Sequence, residues 1–380
     1  MLPYSKQWID DQDVAAVVEV LRSNWLTTGP KVDEFEQAIA NFVGVRKAVA
    51  VSNGTAALHC MMEALGIGPG GEVIVPAITF AATANCVVYQ GGTPVFVDVA
   101  HDTLLIDPQA VEAAITPNTR AIIAVDFAGQ PCDYDRLQAI ADRHGLSLVA
   151  DACHSIGGTY KNRSVGNLAE MTAFSFHPVK PMTTGEGGMI TTDAPDLAAS
   201  IRSFRNHGID LDHRQREQAG GWFYQMTKLG FNYRLSDLQC ALGISQLRRL
   251  PVWLQRRQEI AGQYDKAFDA LPAITPLTTR PEVRHAYHLY IVRLDPAINR
   301  RTAFHELRQA GIGVNVHYVP VHLHPFYQER LGTNAGLCPV AETAYEQIMS
   351  LPVYPAMRAE DVNRVVDTVS KVTTHQKLAA

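Results

Sequence analysis

The chain has 380 residues, 47% hydrophobic and 19% charged, a globular composition with apolar material for more than one core. Its 33 Lys and Arg against 38 Asp and Glu leave a net charge of −5, and no segment concentrates basic residues, which argues against nucleic acid and anionic membrane surfaces as partners. The cysteines (Cys60, Cys86, Cys132, Cys153, Cys240, Cys338) are scattered without a C-x-x-C pair or zinc spacing, as expected of reduced thiols in a cytosolic protein.

The opening "MLPYSKQWIDDQD" has no apolar signal core, and no apolar run reaches the roughly 20 residues of a membrane span, so the chain reads as soluble and cytoplasmic. Residues 10–43 carry two helical patterns, the second with Val32, Phe35, Ile39 and Phe42 at helix spacing and Gly44 placed to end it. From residue 47 short apolar runs alternate with helical segments. The runs are 48–51, 72–76, 93–99, 120–127 and 146–152, and 132–145 is typical of the helices between them. That rhythm predicts an α/β fold with a largely parallel sheet covered on both faces. Two more strands are expected at 172–176 and 188–193, then a long helical stretch at 235–270 interrupted at Pro251. The pattern restarts as strand 287–294, helix 300–310, strand 313–319 and helices near 341–348 and 359–371. This second set reads as a smaller α+β unit, giving domains 1–250 and 251–375, with the terminal "KLAA" (377–380) resembling a cloning-vector remnant.

Sheets of this kind bind ligands beyond the carboxyl ends of their strands. The residues there are Ser52-Asn53-Gly54-Thr55, then Asp151 with His154, then Ser175 through Lys180. A turn such as 52–55 offers amide groups and a positive helix end to an anion, Gly54 allowing close approach and Thr55 adding a hydroxyl; a plain helix cap fits the same residues. Asp151, directly after an apolar run, suits a buried cation such as a protonated ring nitrogen, because an unpaired buried carboxylate is costly. A cap or a surface acid fits it equally when it is taken alone, and His154 alone is more simply a satisfied core histidine. Most lone lysines are surface charges. Lys180, however, follows a strand and shares its edge with an anion-binding turn and an acid, and a lysine with a lowered pKa forms a Schiff base with a carbonyl compound. Pyridoxal phosphate needs these three things: a lysine for its aldehyde, a carboxylate for its pyridine nitrogen and a cradle for its phosphate. The group His317, His322 and His324 invites a metal reading, but no carboxylate or cysteine completes a ligand set, so no metal is expected. Tyr287 and Tyr290 read as core.

The runs "SNGTAAL" (52–58), "PAITFAATAN" (76–85), "DACHSIGG" (151–158), "SFHPVKPMTTGEGG" (175–188) and "LGFNYRLSDLQCALGISQL" (229–247) closely resemble the DegT/DnrJ/EryC1/StrS sugar aminotransferases, over residues 3–371. The resemblance implies a fold-type I pyridoxal phosphate enzyme in which Lys180 binds the cofactor aldehyde. It further implies that Asp151 keeps the pyridine nitrogen protonated, His154 lies near the phenolic oxygen, Phe80 stacks on the ring, and Gly54, Thr55 and Ser175 cradle the phosphate. Asn232 of "NYR" resembles a phosphate contact supplied by a partner subunit, which implies a homodimer with shared active sites. The glycines of "GEGG" would permit tight backbone beside the ring, with Glu186 contacting substrate. The N-terminal stretch and "FHPVKPMTTGEGG" most resemble the branch that aminates C4 of UDP-4-keto-6-deoxy-N-acetylhexosamines, in the L-arabino-4-hexulose form, with L-glutamate as donor, for pseudaminic acid biosynthesis and flagellin glycosylation. In that branch Tyr4, Asn24, Trp25, Leu26 and Thr27, with His317, Tyr318, Val319 and Pro320, would line the nucleotide-sugar site. The implied activity is a two-stage transamination through pyridoxamine phosphate, with Lys180 as covalent anchor and proton carrier. Ala150, where many members carry an acid, and "HLHPFY" (322–327) depart from the common pattern and bear on sugar specificity.

Three rivals are weighed. Sugar 3-dehydratases carry histidine in place of the lysine, and Lys180 argues against them. A cysteine desulfurase needs a mobile reactive cysteine, for which Cys338 in "NAGLCPV" is the loop candidate. A non-catalytic regulator would bind pyridoxal phosphate yet give no response to glutamate.

Overall fold

The computed structural model describes residues 1–211, 213–218 and 220–379. Its first five strands are β1 (Lys47–Val51), β2 (Glu72–Pro76), β3 (Thr93–Val97), β4 (Thr119–Val125) and β5 (Ser147–Asp151). The short β6 (Thr159–Tyr160) and β7 (Arg163–Ser164) leave the sheet, and β8 (Met171–Ser175) and β9 (Gly188–Thr192) complete it in the order β1-β9-β8-β5-β4-β2-β3. Pairs from β3 to β8 are parallel, whereas β9 runs antiparallel to both β8 and β1. All strands but β9 therefore end at one edge, and β9 begins there. The strands are buried almost throughout, as a sheet covered on both faces requires. The cover comes from α3 (Gly54–Ala64), α4 (Ala82–Tyr89), α5 (Pro108–Ala113), α6 (Tyr134–His144), α7 (Pro195–Phe204) and α2 (Pro30–Val43), with α1 (Asp11–Leu21) lying outside them.

A short α8 (His213–Gln218) precedes α9 (Asp237–Phe268), on which α1 and α2 pack. Gly29 at the N-cap of α2 has no side chain for the orphan amides, and Asp237 of α9 supplies it: its buried carboxylate accepts from Gly29 N at 2.8 Å and Lys31 N at 2.9 Å. Arg249 of α9 pairs with Asp10 and Asp13 at the start of α1. The expected interruption at Pro251 does not occur, and α9 is a single helix of 32 residues. Proline removes one donor, but buried Leu250, Trp253 and Leu254 fasten the helix on both sides of it.

The rest of the chain forms β10 (Ile274–Pro276), β12 (Tyr290–Leu294) and β13 (Ile348–Leu351) as one antiparallel sheet, with α10 (Arg300–Gln309) and α13 (Ala359–Ala379) against it; β11 (Val283–Arg284) instead pairs with β6. The strand expected at 313–319 is absent. Gly313 N binds the Leu2 carbonyl at 2.6 Å, Asn315 and Ser350 exchange backbone bonds, and the chain then leaves the ladder so that His317 and Tyr318 reach inward. The α11 (Pro325–Leu331) and α12 (Pro339–Gln347) segment returns to the first core, to which Val321, Tyr327, Ala341 and Ile348 belong. The second core gathers Ile260, Tyr264, Phe268, Val292, Leu307 and Val365, so the change from one core to the other falls inside α9, between Leu254 and Ile260. Lys377, in the segment read as a vector remnant, lies in α13 and pairs with Asp295 at 2.6 Å; Ala380 is outside the described residues. No helix among the described residues is long and apolar enough to cross a membrane.

Close packing of α9 on α2 rests on Gly243, where an added Cβ would lie 2.6 Å from Phe35 Cζ and 2.8 Å from Thr184 Cγ2. Gly243→Ala is expected to lower the unfolding free energy by about 1–3 kcal/mol, the usual penalty for overpacking, measurable by urea denaturation.

Candidate active site

Asp151 ends β5 at the ligand edge and is buried. Its Oδ2 accepts the Thr83 hydroxyl at 2.7 Å and its Oδ1 accepts Cys153 N at 3.2 Å. Thr83, in the first turn of α4, is itself bonded to Thr79 at 2.7 Å. Neither partner is a cation, and no ion pair among the described residues involves Asp151. A buried carboxylate in that condition is suited to a cationic ligand group.

Lys180 sits on the loop between β8 and β9. The loop is tied by Phe176 N to Gly187 O at 2.8 Å, Thr184 N to Phe176 O at 3.0 Å, and Lys180 N to His177 O at 2.9 Å. The N-terminal arm adds a tie from Ser5 Oγ to the Val179 carbonyl at 3.0 Å. Burial lowers the Lys180 pKa, with Cys153 and Asp151 acting in the opposite direction. An amine whose pKa burial lowers, within electrostatic reach of a carboxylate, is disposed to act as a nucleophile.

The turn before α3 forms the third wall. Asn53 is the N-cap and its side chain takes Ala56 N at 2.8 Å, leaving the first amides of α3 as orphan donors. A Cβ on Gly54 would stand 2.9 Å from Ser175 Cβ and 3.1 Å from Cys153 Sγ. Gly54, Ser175 and Cys153 therefore meet at the mouth of this turn. Gly188 is required for a related reason: its Cβ would lie 2.4 Å from the Asn53 carbonyl.

The fourth wall is aromatic and basic. His154 Nε2 is 3.2 Å from the Tyr318 hydroxyl, and its ring lies 4.4 Å from that of His288. His317 Nδ1 meets Ser350 Oγ at 2.7 Å, and the Tyr4 ring lies 5.4 Å from the His317 ring. Burial, reinforced by the positive charge of Lys180, holds His154 and His288 well below the ordinary histidine range and His317 at about 4. All three are neutral at physiological pH. Phe80 is 59% exposed and 5.9 Å from the Tyr318 ring. Val319 is exposed beside buried Pro320.

Other expected site residues fall in a second group at the N-terminus of α9. Leu26 O accepts Asp237 N and Thr27 bridges Ser236, with Asn24, Trp25 and Leu26 exposed. The Glu186 carbonyl accepts Gln239 Nε2 at 2.7 Å while its residue is exposed. Asn232 is exposed, next to Tyr233, whose carbonyl receives Ser52 N at 2.8 Å. Of the three histidines weighed for a metal, His317 meets Ser350 and His322 pairs with Glu342 at 2.9 Å, and no group of three metal-ligating side chains occurs among the described residues. Cys338, weighed as a loop thiol, is instead fully buried at the start of α12, and burial pushes its pKa to about 12, which removes the reactive thiolate a desulfurase needs. Sequence reasoning did not find Thr83, Cys153 or His288; only the adjacency of Thr83 to Phe80 and of Cys153 to Asp151 marked them.

The sequence profile of the DegT/DnrJ/EryC1/StrS aminotransferase family matches residues 7–370, and the chain belongs to that family. It is 43% identical over 376 residues to the spore coat polysaccharide biosynthesis protein SpsC of Bacillus subtilis, covering 98% of this chain and 97% of that one. Its structure superposes with a TM-score of 0.94 on the PMP form of Spr1654 of Streptococcus pneumoniae, assigned as a sugar aminotransferase, at 35% identity over 99% of this chain and 100% of the other. Helicobacter pylori PseC, an aminotransferase involved in pseudaminic acid biosynthesis, matches with a TM-score of 0.92 and 33% identity over 98% and 99% of the two chains. The fold is accordingly that of the fold-type I pyridoxal phosphate aminotransferases. The residues present fit that cofactor: the first amides of α3 beside the Ser175 hydroxyl for a phosphate, a buried carboxylate with no cationic partner for a ring nitrogen, and a half-buried amine for an aldehyde.

The histidine cluster sets an acid limit to stability. Because the folded pKa of His317 is about 4 and that of the unfolded chain about 6.5, only the unfolded state gains the proton between those values. Stability is full above pH ~7 and is lost as pH falls, by up to about 1.4 kcal/mol per pH unit for each such histidine. Denaturant titrations between pH 7 and 4.5 should show this slope, and His317→Gln should make it shallower.

Proposed function

We propose that the chain is a cytoplasmic, pyridoxal phosphate-dependent nucleotide-sugar aminotransferase that moves an amino group from L-glutamate to C4 of a UDP-4-keto-6-deoxy-N-acetylhexosamine. The single observation carrying this reading is the convergence of Lys180, Asp151 and the Gly54 turn on one strand edge, with Lys180 half-buried and its pKa lowered. Bound pyridoxal phosphate would supply an electron-withdrawing ring able to stabilise a carbanion. Asp151 would hold the positive charge of the ring nitrogen, the first amides of α3 with Thr55 and Ser175 would hold the phosphate, and Phe80 and His154 would be the ring contacts. Lys180 would hold the aldehyde and act as the group that moves a proton at the donor α-carbon and at the sugar C4. Tyr4, His317, Tyr318, Val319 and Pro320 line the sugar side, and Asn24, Trp25, Leu26, Thr27 and Glu186 complete it.

A homodimer with shared sites accompanies this reading. Asn232, assigned to the partner's phosphate, is exposed, and so are the large apolar side chains Trp222 (83% exposed), Met226 (65%) and Leu229 (78%) in the preceding segment, of the kind a partner covers. Light scattering should give twice the chain mass at micromolar concentration; a monomer that retains full activity would overturn the shared-site assignment.

For the sugar, the likeness to PseC supports the L-arabino-4-hexulose epimer and the pseudaminic acid pathway. The higher identity to SpsC favours a second reading, a 4-aminotransferase acting on another nucleotide 4-keto sugar. A spectroscopic half-reaction separates the two. Glutamate should bleach the visible band of the lysine-bound cofactor, and the band should return when the L-arabino epimer is added. Return with the D-xylo epimer alone would move the enzyme to a bacillosamine-type pathway, and no response to glutamate would leave a cofactor-binding regulator. Lys180→Ala should form no lysine-bound band and should lose turnover by at least about a thousandfold.

A further inference from the structure

Directly behind Asp151 lies a second buried acid. Asp126 follows β4, whose last residue Val125 pairs with Asp151 across the parallel ladder, and Asp126 N donates to the Asp151 carbonyl at 3.1 Å. Its side chain has no solvent exposure. Oδ2 accepts the Ser155 hydroxyl at 2.6 Å, while Oδ1 accepts the Tyr134 hydroxyl at 2.9 Å and Cys132 N at 3.0 Å. The two oxygens therefore hold two different pieces of chain.

The first is the 151–155 turn, which carries Asp151, Cys153 and His154 and ends in fully buried Ser155, itself bonded through N to Ala152 O at 3.0 Å. The second is the 127–134 loop. There Gly129, at φ 105°, is pressed so close that a Cβ would lie 2.9 Å from the His154 carbonyl and 3.0 Å from His288 N. That loop also receives Ala286 N at Gly129 O (2.9 Å) and Leu289 N at Ala128 O (3.1 Å). One carboxylate thus fixes His154 from both sides and fixes the backbone that presents Asp151 and His288.

Burial and the nearby charge of Asp151 push the Asp126 pKa up to about 6, against the three hydrogen bonds that favour its charged form. Setting two acids side by side in a core works against folding, and such local conflicts concentrate where geometry serves a site.

We infer that Asp126 is a positioning residue of the active site, acting through Ser155 to hold the Asp151–His154 turn in register with Lys180. The inference rests on the cofactor reading above. Its test uses the full chain and two variants that remove the hydroxyl-to-carboxylate bond from opposite ends. Asp126→Asn retains a carbonyl oxygen for Tyr134 and Cys132 but turns an NH2 toward Ser155; Ser155→Ala removes the hydroxyl. Pyridoxal phosphate is titrated into each ligand-free protein while the lysine-bound absorbance band is followed, and the melting temperature of each ligand-free protein is recorded. Each variant is expected to weaken cofactor binding about tenfold, and the double variant no further than either single one, because both act on one interaction. A merely structural tie would lower the melting temperature and leave the dissociation constant within about twofold of wild type, and that result, or effects that multiply in the double variant, overturns the inference. If Asp126→Asn does not fold, Ser155→Ala alone decides between these outcomes. Absence of the band in the wild-type protein would instead overturn the cofactor reading on which the inference stands.

Discussion

The site depends on setting an acid and an amine close together at an edge largely shielded from water. Asp151 ends β5 and Lys180 lies on the β8–β9 loop, and each is expensive to bury alone; together they soften the penalty, since the carboxylate opposes the pKa depression that burial imposes on the lysine. Burial is nevertheless the larger influence on Lys180. The result is an amine whose proton is held less tightly than that of a surface lysine and which forms no salt bridge among the described residues. The carboxylate, satisfied by a threonine hydroxyl and a backbone amide, stays available to a ligand's positive charge.

The sheet makes that arrangement possible through one reversed strand. Since β9 runs against its neighbours, the chain must turn at the ligand edge between β8 and β9, and the turn carries Lys180 over the ends of the parallel strands. Gly188 lets β9 begin in contact with the turn before α3, so the wall bearing Gly54 and the loop bearing Lys180 are built against each other. Local backbone chemistry and sheet topology thus converge on the same few ångströms.

Much of this was legible in the sequence. The strands of the main sheet are continuous apolar runs, a pattern that parallel, doubly covered strands produce, and residues just past such runs mark the ligand edge without further information. What escaped depended on partners distant in sequence. Asp126 reads as the tail of an apolar run, and nothing in its neighbours announces that Ser155 and Tyr134 will close on it. Asp237 looks like an ordinary first-turn acid of α9, yet it caps α2 some 200 residues earlier. The segment 313–319 has strand composition, but its backbone partners are single residues of the arm and β13, so no ladder forms. Pro251 signals a break by the rules of isolated helices, and tertiary packing overrides the signal.

That unbroken α9 has a mechanical consequence. At about 1.5 Å per residue its 32 residues span nearly five nanometres, with Trp253 and Leu254 embedded in one core and Ile260, Tyr264 and Phe268 in the other. A rod clamped in both bodies resists their swinging apart, because any hinge would have to bend it. Traffic of bulky reactants is then left to the perimeter segments, the arm and the exposed loops, while the frame stays stiff.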